Sequence, residues 1–229
     1  MNFIKFLVAF FLIHFFYFEE INASHIRAGE VIARRISNLT FEYEFTFIGY
    51  RDTDTGIDFG GGDFDFGDGT VISGDFDVLE TQITANIVRA EFTLVHTYQA
   101  PNSYIVSYSE DNRNGGISNM ENSLNTPFYT ETLIIIDPFF GVNNTPVLTV
   151  PPIDEGIPGA RFIHNAGAFD IDGDSLAYYL VIPKMEKNSE VVLYRPLNHP
   201  DFYTNFGQGS ENLTSPTLDL DAAYGDLIW

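Results

Sequence analysis

From Leu39 to Phe47 the chain alternates without a break. Leu39, Phe41, Tyr43, Phe45 and Phe47 fall on one side, and Thr40, Glu42, Glu44 and Thr46 on the other. Successive side chains of a strand leave opposite faces of the pleat, so this pattern predicts a β-strand with one face in a core and one in water. Residues 88–98, 104–108, 128–136 and 176–182 repeat it less regularly, and stretches rich in Gly, Asn and Asp separate them. Such punctuation is expected of antiparallel strands joined by surface turns. No window carries an apolar stripe of period 3.6 over twelve residues. The predicted fold is all-β, most simply immunoglobulin-like sandwiches.

Residues 137–152 interrupt the alternation with Pro138, Pro146, Pro151 and Pro152, together with Gly141, Asn143 and Asn144. Proline lacks the ladder donor, so this stretch predicts a connection or an edge and places a domain boundary at 146. The expected units are 24–145 and 146–229, the second of them incomplete. Residues 217–229 read as strand, turn, strand, with the chain stopping inside the last strand. Either the sequence is a fragment, the favoured expectation, or the closing strand of that sheet comes from elsewhere.

The segment before the first unit is an address. Lys5 precedes an apolar run over 6–18, followed by Glu19-Glu20-Ile21-Asn22-Ala23. A basic start, a short apolar stretch and a small residue at Ala23 predict a signal peptide over 1–23, removed on export. Thirteen residues would span about 20 Å as a helix, less than the ~30 Å of a bilayer core, which disfavours the alternative of a membrane anchor. The expectation is a secreted or cell-surface protein with no stable membrane span.

Composition narrows the function classes. The 229 residues hold 32 acids against 11 bases, a net charge of −21, and no cysteine. Nucleic acid is excluded as a partner, because phosphate contact needs a basic face. A disulfide scaffold, a thiolate zinc site and a cysteine nucleophile are excluded as well. The acids are not spread evenly: Asp52, Asp54, Asp58, Asp63, Asp65, Asp68, Asp75 and Asp77 crowd one glycine-rich stretch without a single base. Asp52-Thr53-Asp54-Thr55-Gly56 starts like an EF-hand loop, but glycine stands where the third ligand belongs and no Glu occupies the twelfth position. Aspartates closing turns on backbone amides are the plainer reading. Asp65-Phe66-Gly67 alone does not make a kinase, since neither a strand lysine behind a phosphate loop nor a His-Arg-Asp loop accompanies it.

The sharper metal candidate is Ala168-Phe169-Asp170-Ile171-Asp172-Gly173-Asp174-Ser175-Leu176. Asp170, Asp172 and Asp174 alternate, so in an extended loop their carboxylates can converge, and Gly173 permits a bend. Glu155, just past the proline-rich stretch, could add a fourth acid. Six to eight oxygens are what Ca²⁺ takes, which makes calcium the expected cofactor; the alternative is an acidic turn.

Three resemblances follow from these residues. Phe64-Asp65-Phe66-Gly67-Asp68-Gly69-Thr70, combined with His96-Thr97-Tyr98 and Pro101-Asn102-Ser103-Tyr104-Ile105-Val106, resembles the polycystic-kidney-disease (PKD) domain, an immunoglobulin-like sandwich of extracellular proteins. Phe64 stands where that family has Trp, and Asn102 where it has Gly; Asn tolerates the left-handed backbone such a turn can require. The resemblance implies that Asp65 and Asp68 brace a turn and that His96 is structural. Ser24-His25-Ile26-Arg27-Ala28-Gly29-Glu30, Tyr50-Arg51-Asp52, Asn112-Arg113-Asn114-Gly115-Gly116-Ile117, Phe128-Tyr129-Thr130-Glu131-Thr132 and Asn143-Asn144-Thr145-Pro146-Val147-Leu148 are similar to large surface or secreted proteins of gliding Gram-negative bacteria. That likeness implies further sandwiches and a sorting domain beyond residue 229, and roles in adhesion or gliding. The 170–174 loop resembles that of cadherin-like modules, where calcium stiffens the boundary between tandem domains.

The leading expectation is a non-catalytic extracellular spacer or binding module, its partners an extracellular protein or glycan surface and the neighbouring domains of its own chain. An accessory region of a secreted hydrolase is the alternative, with Tyr203, Phe206 or Tyr224 stacking on sugar rings; core packing is the preferred role for those aromatics. A free-standing hydrolase using two carboxylates ranks third.

Overall fold

The computed structural model describes residues 26–53, 59–111, 113–139, 141, 143–157, 160–203 and 218–229. The segment 1–23 expected to be a signal peptide, Asp54, Asp58 and Phe206 lie outside the described residues. Among the described residues no helix is long and apolar enough to cross a membrane.

Two four-stranded antiparallel sheets form a sandwich. The first has the order β1-β2-β6-β5, from β1 (Ile26–Arg35), β2 (Phe41–Asp52), β5 (Leu79–Thr84) and β6 (Ile87–Tyr98). The second has the order β4-β3-β7-β8, from β3 (Asp63–Asp65), β4 (Val71–Ser73), β7 (Ser103–Glu110) and β8 (Phe128–Ile135). The alternation sets the inner faces. Tyr43, Phe45 and Phe47 of β2 point inward with Val31 and Ala33 of β1 and Phe92 of β6, and they meet Phe64, Val106, Tyr108 and Ile134 of the opposite sheet. Across the gap Phe47 lies 4.3 Å from Tyr108 and Phe45 5.9 Å from Phe64, measured between ring centroids. Buried rings of this size contribute about 1.5–3 kcal/mol each from area alone, and offset or edge contacts add about 0.5–1.5 kcal/mol per pair.

Leu39 departs from its expected place. It lies before β2, in a turn, and is 97% exposed, because no partner strand extends far enough to give it a covered face. At its other end β2 is buried on both sides: Ile48 and Tyr50 join Ile32 and Ile87 in a second cluster on the outer face, with Val147 and Ile153 packed against it.

Past β8 the elements are short. They are β9 (Val147–Leu148), β10 (Ile163–Asn165), β11 (Ala168–Phe169), β12 (Lys184–Glu186), β13 (Ser189–Glu190), α1 (Pro200–Tyr203), β14 (Asp219–Leu220) and β15 (Asp226–Ile228). β9 pairs with β11, β12 with β13, and β15 lies between β10 and β14. The strand, turn, strand reading of the final residues is borne out: Asp221 Oδ1 accepts from the amides of Ala223 (2.9 Å) and Tyr224 (3.0 Å), and Gly225 has φ +79°. The strand expected over 176–182 does not form. Among the described residues only the Tyr178 amide of that stretch reaches a backbone acceptor, the Ala222 carbonyl at 2.9 Å, and Tyr179, Leu180 and Val181 are exposed. Alternation cannot make a strand without a neighbour to complete the ladder.

These later elements use the sandwich as a packing surface. The Arg113 guanidinium, buried over the Phe128 ring, donates to the carbonyls of Pro127 (2.9 Å) and Lys184 (3.2 Å). Burial holds it below the usual arginine range. Lys184 Nζ pairs with Glu131 of β8, and Met120 bridges to Tyr194.

Candidate functional site

The motif with the densest chemistry lies at the turn joining β3 to β4. Phe64 and Phe66 are both buried, so the chain must reverse between them and Thr70 with its polar groups outward. Asp65 Oδ1 accepts from the Gly67 amide at 2.7 Å and Asp68 Oδ1 from the Thr70 amide at 3.0 Å. The Phe66 amide donates to the Thr70 carbonyl at 3.0 Å. Gly67 and Gly69 sit at φ +81° and +97°, a region that favours glycine. His96, whose ring stacks on Phe66 with centroids 4.2 Å apart, places Nε2 2.8 Å from Asp68 Oδ2. The Tyr98 hydroxyl donates to the Phe66 carbonyl at 2.8 Å. The side chains of Asp65, Asp68 and His96 thus hydrogen-bond within the chain itself and brace a turn, as the resemblance implied.

Partial burial alone would raise the Asp68 carboxyl, but the hydrogen bonds from His96 and Thr70 outweigh it and hold the group below the usual carboxylate range. A depressed native pKa means that Asp68 stabilises the fold fully above the unfolded value, ~3.9, and loses that contribution as pH falls through the native value. Asp68→Asn should therefore lower the urea midpoint near neutral pH. The gap from the wild type should close as pH falls from about 5 to about 2. A gap that is constant across a pH series of urea titrations would remove the role assigned to the carboxylate.

Asn102 solves its turn differently from the expectation. Its φ is not positive; the side-chain oxygen accepts from the Ser103 amide at 2.8 Å, and its carbonyl takes the Ile136 amide at 2.9 Å. Phe64 fills the core position with no exposure at all.

The structure places the calcium candidates as follows. Asp170 is 8% exposed, and its Oδ1 accepts from the amides of Asp172 (2.9 Å) and Asp174 (3.1 Å). Asp172 points elsewhere: its carboxylate takes the Asn144 amide at 2.7 Å and Asn144 Nδ2 at 3.0 and 3.1 Å. Gly173 provides the bend at φ +84°. Asp174 and Glu155 are exposed. Among the described residues no three His, Asp or Glu side chains are gathered so as to hold a metal ion. In the acidic stretch over 52–77, Asp52 pairs with Arg27 at 2.7 Å.

Sequence reasoning missed a buried acid. Glu110 is buried beneath the glycine-rich loop; its Oε2 accepts from the Tyr108 hydroxyl and from the Gly60 amide at 3.3 Å, while the Gly62 amide donates to the Tyr108 oxygen at 3.3 Å. Burial, then the charge of Glu110, pushes the Tyr108 hydroxyl well above its usual value. The signal lay in the strand itself, where Glu110 falls on the same parity as Tyr104, Val106 and Tyr108. Of the aromatics considered for stacking, Tyr224 is 74% exposed, which overturns core packing for that residue, because the turn before Gly225 holds it outside. The Tyr203 side chain lies outside the described residues.

Together the fold and its loops define an antiparallel β-sandwich module whose acidic turns are held by its own amides. Over residues 31–137, a little under half of the chain, the sequence matches the family model described as integrin beta-like protein A-E, N-terminal. The matched span runs from within β1 to just past β8, so it coincides with the sandwich. No curated protein and no solved structure gives a match.

Proposed function

We propose that this chain is a non-catalytic extracellular module of a cell-surface protein, an immunoglobulin-like sandwich that holds a binding surface away from the cell and takes part in adhesion. The observation that carries this reading is the coincidence of the sandwich with the span matching the integrin beta-like family. The aromatic core supports it, since stacked rings between two sheets make a stiff spacer. The PKD-like turn and the likeness to gliding-associated surface proteins favour a role in bacterial attachment or gliding. The leader-like first segment supports export.

Antibodies against the sandwich should label intact, unpermeabilised cells, and beads coated with the purified chain should adhere to a surface that uncoated beads do not hold. Labelling that appears only after lysis would overturn the surface reading, and equal retention of coated and bare beads would overturn the adhesive one.

A second reading, a glycan-binding region beside a secreted hydrolase, is favoured by Tyr179 and Tyr224, which are 76% and 74% exposed. Their segments are adjacent, since the Tyr178 amide donates to the Ala222 carbonyl. A glycan array probed with the wild type and with Tyr224→Ala separates the two: signal lost in the variant supports glycan recognition, and a blank array leaves the spacer reading standing.

A further inference from the structure

We infer that the joint between the sandwich and the chain beyond it is closed by a cation-independent clasp, with Asn144 as its bridge and Asp172 as its acceptor. β1 is an edge strand; it presents backbone groups that need partners, and an unsatisfied row would invite pairing with another chain. Residues 144 and 145 supply them. The Ala33 amide donates to Thr145 Oγ1 at 2.8 Å, the Thr145 amide returns to the Ala33 carbonyl at 3.0 Å, and the Arg35 amide donates to Asn144 Oδ1 at 2.9 Å. The side-chain acceptor of Asn144 is thus engaged with the sandwich.

Its donors face the other way. The Asn144 amide and Nδ2 both point at the Asp172 carboxylate, at 2.7 to 3.1 Å. One residue therefore ties β1 to the 170–174 loop, and hydrogen bonds to an ionised acceptor are about twice as strong as neutral ones. The loop is preset for this contact, because Asp170 Oδ1 already holds the amides of Asp172 and Asp174. Further along, the Leu148 amide donates to Glu30 Oε2 at 3.3 Å, and Val147 packs on the outer face of the first sheet.

This arrangement disagrees with the calcium-stiffened boundary that the loop's composition suggested. Calcium needs six to eight oxygens at about 2.3–2.6 Å. Here both oxygens of Asp172 and Oδ1 of Asp170 accept from N–H groups, whose partial positive charge occupies positions that the ligands of a cation would have to offer it. Binding one would break the contacts that close the joint. The aspartates are present for the same mechanical purpose, but the charge they recruit belongs to the protein's own amides.

Hydrogen–deuterium exchange of the full chain tests the clasp, because local opening sets the exchange rate of the amides it protects. In the wild type, peptides covering 143–150 and 168–176 should exchange at the same rate in EDTA and in millimolar calcium chloride. Asp172→Ala should speed exchange in both peptides by about tenfold, with or without calcium, while peptides from β2 and β6 keep wild-type rates. EDTA that accelerates the wild type to the level of the variant would overturn cation independence. An Asp172→Ala protein with unchanged rates would overturn the clasp. Acceleration in β2 and β6 as well would overturn its local character, showing Asp172 to hold the whole fold instead of the joint.

Discussion

Phe45→Ala should lower the stability of the sandwich by about 3–5 kcal/mol, the range for deleting a buried aromatic ring from a packed core. Phe45 has no exposure and touches rings from both sheets: Tyr43 and Tyr98 on its own, Phe64 and Phe66 on the other. Removing it leaves a void lined by those rings, which sit on hydrogen-bonded strands and cannot collapse far. Single domains hold about 5–15 kcal/mol in all, so the variant should stand near the limit of folding. At a urea slope of about 2 kcal/mol per M the midpoint should fall by about 2 M. Leu39→Ala, a truncation three periods of the alternation earlier, should change stability by less than about 0.5 kcal/mol, since Leu39 is already in water. Equal losses in the two variants would contradict the register described for β2.

Gly67→Ala and Gly69→Ala should separate just as sharply, though both glycines have positive φ and stand two residues apart. A methyl group on Gly67 would meet the Ile105 carbonyl oxygen at 2.4 Å and its carbonyl carbon and amide nitrogen at 3.0 Å. These are backbone atoms of β7, which pairs with β3, and they cannot yield without opening that ladder. A methyl on Gly69 would meet nothing within 4 Å. Backbone strain alone, about 1–2 kcal/mol, should apply to Gly69. Gly67 should add the cost of forcing strand and turn apart, for a total of about 4 kcal/mol. Urea titrations of both variants decide it: a loss at Gly69 as large as that at Gly67 would mean that conformation, and not contact with β7, makes the turn glycine-dependent.

How legible the molecule is differs from segment to segment. Residues 41–47 of β2 were legible, because their alternation records a single covered face. The turn at 64–70 was legible as a motif, and even the bracing role of Asp65 and Asp68 followed from it, since short acids beside glycine can satisfy amides only a residue or two away. The far end of β2 was not legible. Ile48 and Tyr50 break the alternation because Val147 and Ile153, about a hundred residues later, cover the outer face there. The alternating residues 176–182 misled for the converse reason: they meet the local requirement of a strand, while among the described residues no neighbouring strand completes it.

The same division runs through the acidic loops. Sequence alone determined that this is a β protein, roughly where β2, β6, β7 and β8 lie and that Gly67, Gly69 and Gly173 sit in turns, because those properties depend on near neighbours. It also determined that acids at 170, 172 and 174 would share a loop. Only the tertiary structure decided what they face. Asp170 turns back on its own loop, and Asp172 meets an asparagine held in place by the edge of β1. A carboxylate binds a cation or an amide with the same oxygens. Which one it meets depends on the partners that folding brings to it, and no spacing along the chain encodes that.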